Sequence, residues 1–234
     1  MQKYLSIVML ASLVMFGCSS DDNNNGDDGG GDGGDPVSAT YRITFTPNFT
    51  EASFPTDYPA NAGFSGIVVA VHEPGKQVFA LGSAASAGLA EFAETGDSSA
   101  LVTDLASQGG DDSTDFFITT SAAGGGPTAS QSVNVTVDPE KTRISFVTSL
   151  NPSPDWFVGV NGFNIVLPSD ALVTEETLTL GVLDAGTDSG TTYNSGDSET
   201  SPQGTIQVLS GPPIGTAGGL TPAIGTLTIT RTDL

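Results

Sequence analysis

Apolar and polar residues alternate with a period of two along most of the chain after residue 38. In residues 41–46, 131–137 and 143–150 apolar side chains recur at every second position, with valine, threonine and aromatic residues frequent among them. These residue types favour the pleated surface of a half-buried β-strand. The same reasoning predicts further strands at residues 67–71, 116–120, 156–160, 162–166, 177–183, 204–209 and 225–230.

Turn-forming residues separate these segments. Examples of these turn residues are Asp138-Pro139, Pro168-Ser169-Asp170 and Gly211-Pro212-Pro213. Helical patterns are few, and only residues 84–95 and 101–107 are predicted to form short helices. Many short strands with frequent turns predict an all-β protein, an antiparallel β-sandwich with one or two short helices. Residues 38–234 have the length of one large β domain.

The first residues have the pattern of an export signal. Lys3 is followed by an apolar run over residues 5–16 and then by Gly17-Cys18. Twelve apolar residues are too few for a membrane-spanning helix, which needs about 20. A lone cysteine at this place resembles a bacterial lipobox, which implies that residues 1–17 are a lipoprotein signal peptide and that Cys18 is lipidated. The alternative is a simple secretory peptide with an incidental cysteine.

A polar segment joins the signal to the predicted domain. Residues 19–35 contain no apolar side chain and six aspartates, so they bury too little surface to fold. Residues 18–37 are therefore predicted to be a disordered acidic tether that holds the domain off a membrane. The predicted location is the cell envelope, as an outer-membrane lipoprotein displayed on the outer surface, with the lipid as its only membrane contact.

The charge is strongly negative. The chain carries 27 acidic and 6 basic residues; without the tether aspartates and Lys3, 21 acidic and 5 basic residues remain, a balance of −16. Such a surface repels nucleic acid and anionic lipid, and it suits cation binding or solubility alone. We predict no nucleic-acid partner.

Two motifs carry a family resemblance. Residues 152–160 read PSPDWFVGV and residues 184–190 read DAGTDSG, in that order. Together they resemble the spondin N-terminal domain family, and the resemblance extends over roughly residues 38–234. It implies a C2-like antiparallel β-sandwich, and a calcium-binding adhesion or interaction module whose extracellular partner is unknown. The animal relatives are disulfide-bonded, whereas residues 38–234 contain no cysteine.

The resemblance implies a calcium ion as cofactor, with Asp155, Asp184 and Asp188 as ligands. Calcium takes six to eight oxygen ligands, and aspartates on two loops suit that chemistry. The alternative is an ordinary turn, in which aspartate side chains accept hydrogen bonds from nearby backbone amides.

Other functions have less support in the sequence. His72 is the only histidine; it is predicted to be a packed or hydrogen-bonded residue at a strand end, and no nucleophile–base pair points to an enzyme. Trp156 is predicted to lie in the core. A structural envelope or matrix protein without a discrete ligand, and less so a hydrolase, are the alternatives to the interaction module.

Overall fold

A computed structural model describes residues 38–108, 116–121, 123–215 and 221–234 of the chain. The predicted signal peptide, the tether and Cys18 lie outside the described residues. No helix in the described ranges is long and apolar enough to cross a membrane. The predicted antiparallel β-sandwich with two short helices is confirmed.

Eleven strands and two helices make up the described fold. The strands are β1 (Ala39–Pro47), β2 (Gly63–Phe64), β3 (Val68–His72), β4 (Phe116–Thr120), β5 (Gln131–Val137), β6 (Arg143–Asn151), β7 (Trp156–Asn164), β8 (Glu175–Leu180), β9 (Leu183–Asp184), β10 (Gln207–Val208) and β11 (Gly225–Arg231). The helices are α1 (Ala87–Thr95) and α2 (Ser99–Ser107), and both lie between β3 and β4 in the chain.

The strands form two antiparallel sheets. The smaller sheet has the order β5-β1-β11-β8, and the larger one has the order β10-β9-β7-β6-β3-β4, with β2 paired to β6. The two regions predicted at 156–160 and 162–166 are one strand, β7, which has a bulge opposite Ser145. Only residues 207–208 of the predicted strand 204–209 pair as a strand, with β9.

The main core lies between the sheets, because alternate residues of each strand point inward. It contains Tyr41, Ile43 and Phe45 of β1 together with Trp156 and Val158 of β7. The prediction that Trp156 lies in the core is confirmed.

A second apolar cluster covers the other face of the larger sheet. Leu89 and Phe92 of α1 and Leu101 of α2 pack there with Val147 and Phe157. This cover explains the pattern of β6, in which seven consecutive residues are buried rather than every second one.

The two helices approach each other closely at Gly88. The Gly88 amide donates to Asp104 Oδ2 over 2.6 Å, and a Cβ placed on Gly88 would lie 2.6 Å from the Ala100 carbonyl oxygen. Ser86 caps α1 by accepting a hydrogen bond from the Leu89 amide at 3.2 Å, and Gly96 ends the helix with a left-handed backbone (φ 76°). Both helices are confirmed, with α1 shorter at its start than predicted.

The strands define two ends of the sandwich. Ala39, at the start of β1, is paired with Val137. At the other end, the residues that follow β1 reach the PSPDW motif, because Phe49 contacts Tyr193 and Tyr193 contacts Trp156, with ring centroids 5.5 Å apart in both pairs. The two loop motifs therefore lie at the end of the sandwich opposite Ala39.

Candidate functional site

Asp155 is the centre of the two-motif region. Its side chain is fully buried just before β7. Oδ2 accepts hydrogen bonds from the Thr187 amide at 2.7 Å, the Thr187 hydroxyl at 3.1 Å and the Asp188 amide at 3.0 Å. Oδ1 is also buried and has no hydrogen-bond partner in the described structure. The PSPDW aspartate thus holds the DAGTDSG loop through one oxygen and leaves the other available.

Asp184 lies in β9, where it is paired with Trp156. Its Oδ1 accepts a hydrogen bond from the Gly186 amide at 2.7 Å. Burial raises the pKa of Asp184, and the negative charges of Asp155 and Asp188 raise it further, against the opposing effect of the Gly186 amide. Asp184 is thus half-buried beside two other carboxylates, where a negative charge is unfavourable.

Asp188 joins the DAGTDSG loop to a neighbouring segment. Its Oδ1 accepts from the Gly190 amide at 2.6 Å, and its Oδ2 accepts from the Ser198 amide at 2.7 Å. An isolated antiparallel bridge also pairs Asp188 with Glu199. Only 8% of Asp188 is exposed, so its carboxylate is largely enclosed by the loop from whose Gly190 amide it accepts a hydrogen bond.

Glycines allow this loop to fold tightly. Gly186 has a left-handed backbone (φ 75°), and a Cβ there would lie 2.8 Å from the Gly204 carbonyl carbon. A Cβ on Gly190 would lie 2.7 Å from Cγ of Pro154 and 2.9 Å from Oδ1 of Asp188. A larger residue at Gly190 would push the two motifs apart, and one at Gly186 would push the loop away from the segment at Gly204.

An open cleft of about 260 Å³ lies beside the loop, and both Asp184 and Asp188 line it. Gly186, Thr200 and Thr205 also line the cleft. The ion pairs Lys141–Asp138 and Arg231–Asp233 involve no residue of these loops.

The structure therefore brings the three predicted aspartates into one loop region. Asp184 and Asp188 each accept a hydrogen bond from the amide two residues further along, as they would in an ordinary turn. Within the described ranges, no three His, Cys, Asp or Glu side chains are arranged as a metal centre. Calcium ligation by Asp155, Asp184 and Asp188 stays a prediction.

The residues around Ser198 and Glu199 were not anticipated from the sequence. They lie in a polar stretch, NSGDSET, whose composition indicates a turn but not the loop against which it packs. Hydrogen bonds from the Ser198 amide to Asp188 and from the Thr200 amide to the Thr187 carbonyl join this stretch to the DAGTDSG loop.

His72 is fully buried at the end of β3, as predicted. Its Nε2 lies 2.8 Å from Ser145 Oγ, and its Nδ1 lies 2.9 Å from the Glu73 carbonyl oxygen. Ser145 is buried as well and accepts a hydrogen bond from the Gly162 amide at 2.8 Å. The serine hydroxyl is thus enclosed in the sheet, where it supports the β7 bulge and is closed to a substrate.

Comparisons with known proteins agree with the motif resemblance. The family model Spondin_N matches residues 39–212, a range that includes all three aspartates. Spondin-2 of Rattus norvegicus is 32% identical over 186 residues, which cover 76% of this chain and 56% of that protein. Spondin-2 of Homo sapiens is 31% identical, with 74% of this chain and 53% of that protein covered.

Spondin-1 covers a similar share of the chain. Spondin-1 of Mus musculus is 34% identical over 177 residues, covering 74% of this chain and 22% of that protein. The chain thus spans about half the length of the Spondin-2 proteins and less than a quarter of Spondin-1. Because the family model matches most of the chain, the chain belongs to the Spondin_N family.

Proposed function

We propose that the protein is a calcium-binding interaction module that is exported and held at the cell surface by a lipid on Cys18. The single observation that carries the calcium proposal is Oδ1 of Asp155, a fully buried carboxylate oxygen without a hydrogen-bond partner among the described residues. A buried polar atom without a partner costs about 1–3 kcal/mol, and more when it is charged. A cation bound at this oxygen would remove that cost.

The surrounding charges support the same ligand. Asp184 and Asp188 bring two further carboxylates to the loop, and the raised pKa of Asp184 reflects its burial next to the other two. A divalent cation would offset this repulsion. Calcium also accepts backbone carbonyl oxygens and water as ligands, so it does not require every position to be filled by a side chain. Asp155 Oδ1, Asp184 and Asp188 are the groups we expect to contribute, with the rest supplied by the loop backbone and water.

Calorimetric titration of the full-length protein in detergent tests the calcium proposal. Calcium is expected to bind with measurable heat and to raise the melting temperature, because a ligand that binds only the folded state stabilises it. Absence of both effects at millimolar calcium would overturn the proposal.

Asp184→Asn gives a sharper test because two effects of opposite sign are expected. Without calcium the substitution should leave stability unchanged or raise it, since it removes a half-buried negative charge near two others. With calcium it should abolish the increase in melting temperature. Asp170→Asn is the matched control, because Asp170 is exposed in the turn after β7 and should leave the calcium effect intact.

The interaction role is supported by family membership and by the lack of an accessible catalytic group at His72. The relatives named Spondin-1 and Spondin-2 are longer than this chain, so their partners are not transferred to it. A pull-down of extracellular proteins with and without chelator tests the role. We expect that the wild type captures a partner protein in calcium and that Asp184→Asn does not capture that protein.

A further inference from the structure

Strand β7 has an open edge along most of its length. From Phe157 to Asn164 it pairs with β6 on one side, interrupted by the bulge, but on the other side only Trp156 and Phe157 pair with a strand, β9. From Val158 to Asn164 no described strand lies on that side. In a strand the backbone N–H and C=O groups of successive residues point alternately to its two sides. The Asp155 carbonyl oxygen accepts from the Ala185 amide on the β9 side, so the Gly159 backbone also points to that side.

This edge lacks the protection seen on its neighbour. Strand β8, the next strand in the chain, forms the adjacent edge of the smaller sheet and carries the exposed Glu175 and Glu176. Edge charges of this kind prevent unwanted strand pairing. Strand β7 reads WFVGVNGFN and contains neither a charged residue nor a proline. The two adjacent edges thus differ. Exposed charges hinder strand pairing at β8, whereas the backbone of β7 remains open to it.

An apolar pocket of about 460 Å³ lies beside the open edge. Its lining includes Phe79 and Leu81, from the segment that crosses the sheet, as well as Gly159, Asn161 and Leu183. Leu81 is 59% exposed, and Val208 of the nearby strand β10 is 56% exposed. Open backbone groups next to a pocket for a side chain are the two elements by which a sheet edge recognises an added strand.

We infer that the open edge of β7 is a docking site for an extended segment of a positively charged partner protein, which adds as a strand and inserts an apolar side chain beside Leu81. Charge selects this occupant. The domain carries a balance of −16, so a second copy of the chain would be repelled, whereas a basic segment would be attracted. Glu175 and Glu176 of β8 place negative charge on the adjacent edge. The site uses the far part of β7 and does not depend on the calcium loops.

The probe is a short synthetic peptide that alternates valine with lysine, titrated into the full-length protein. It should bind, and the amide of Gly159 should become protected from hydrogen exchange. The same peptide with glutamate in place of lysine should bind much more weakly. A version with proline at alternate positions should not bind, because it lacks the amides needed for pairing.

Leu81→Lys should weaken peptide binding by about tenfold or more, because it places a charged side chain at the pocket. Phe117→Lys is the matched control, since it adds the same charge at an exposed apolar residue on β4, the opposite edge of the same sheet. It should leave peptide binding unchanged.

Several results would overturn the docking site: equal binding of the acidic and basic peptides, protection of β4 instead of Gly159, or sensitivity to Phe117→Lys but not to Leu81→Lys. Dimerisation through β7 without any peptide binding would identify a second copy as the occupant and overturn the inference as well. Peptide binding is expected both in calcium and in chelator, so failure of the calcium proposal and failure of this one give different results.

Discussion

The amide nitrogen of Asp188 donates a hydrogen bond to Oδ2 of Asp155 over 3.0 Å, so the carboxylate of one motif holds the backbone of the other. The two residues are 33 positions apart in the chain. Their contact explains why PSPDW and DAGTDSG occur together: the first motif supplies a buried acceptor, and the second supplies the donors.

Asp155→Ala should therefore destabilise the protein even in the presence of chelator. The substitution leaves the Thr187 and Asp188 amides and the Thr187 hydroxyl without their acceptor, and we expect a loss of about 3 kcal/mol. Urea unfolding in EDTA measures it. Thr187→Val, which removes only the hydroxyl donor, should cost clearly less. Wild-type stability of Asp155→Ala in EDTA would contradict the structural role.

Stability should fall as the pH decreases through the range in which histidine is protonated. Burial lowers the pKa of His72, and Arg143 on the paired strand lowers it further, while the Glu73 carbonyl opposes the shift. The folded protein therefore keeps the imidazole neutral, whereas the unfolded chain takes up a proton near pH 6.5. The stability contribution of neutral His72 is present above that pH and is lost below it.

This pH effect should amount to at most about 1.4 kcal/mol per pH unit. Comparing the unfolding free energies of the wild type and His72→Gln between pH 5 and 7.5 isolates it, because the chain has no other histidine. Parallel pH profiles for the two proteins would show that His72 does not titrate differently on folding.

Gly88→Ala tests the packing of the two helices. Helix propensity alone predicts that alanine would stabilise α1 by about 1 kcal/mol relative to glycine. The structure predicts the opposite sign, because the new Cβ would lie 2.6 Å from both the Ala100 carbonyl oxygen and Asp104 Oδ2. We expect a loss of about 2 kcal/mol in chemical unfolding. Gly126→Ala, where a Cβ meets no atom within 4 Å, is the control.

Lipidation of Cys18 should be detectable by metabolic labelling with a palmitate analogue in a bacterial host. The wild type should carry the label and fractionate with membranes, and Cys18→Ser should lose both properties. Label that persists in Cys18→Ser would place the lipid elsewhere. An unlabelled wild type that is still exported would favour the simple secretory peptide.

Sequence patterns predicted the long strands well because most of them, such as β1 and β11, bury every second residue. Strands β5 and β4 have the predicted bounds, and β1 extends the prediction by two residues at its start and one at its end. The patterns failed where a partner outside the segment decides the structure. Ile206 lies in a predicted strand, but its amide bonds to the Ser83 carbonyl in a loop, a pairing that no local pattern indicates.

In the candidate site, too, some features follow from the sequence and others do not. Family motifs predicted its three aspartates, and the structure places them in one loop region. The roles of the individual oxygens were not predictable, because they depend on amides of Thr187, Gly190 and Ser198 that carry no side-chain signature. The contact of Ser145 with His72 was also missed, since it joins neighbouring strands at a bulge.

The direction of β1 determines which end of the domain a membrane anchor would hold. The chain enters the sandwich at Ala39, and this nine-residue strand then runs about 30 Å toward the end that carries Asp155 and the DAGTDSG loop. With a lipid at Cys18, the tether attaches at the end away from the aspartates. The acidic loops, at the opposite end of the sandwich, would then lie away from the point where the chain leads to its anchor.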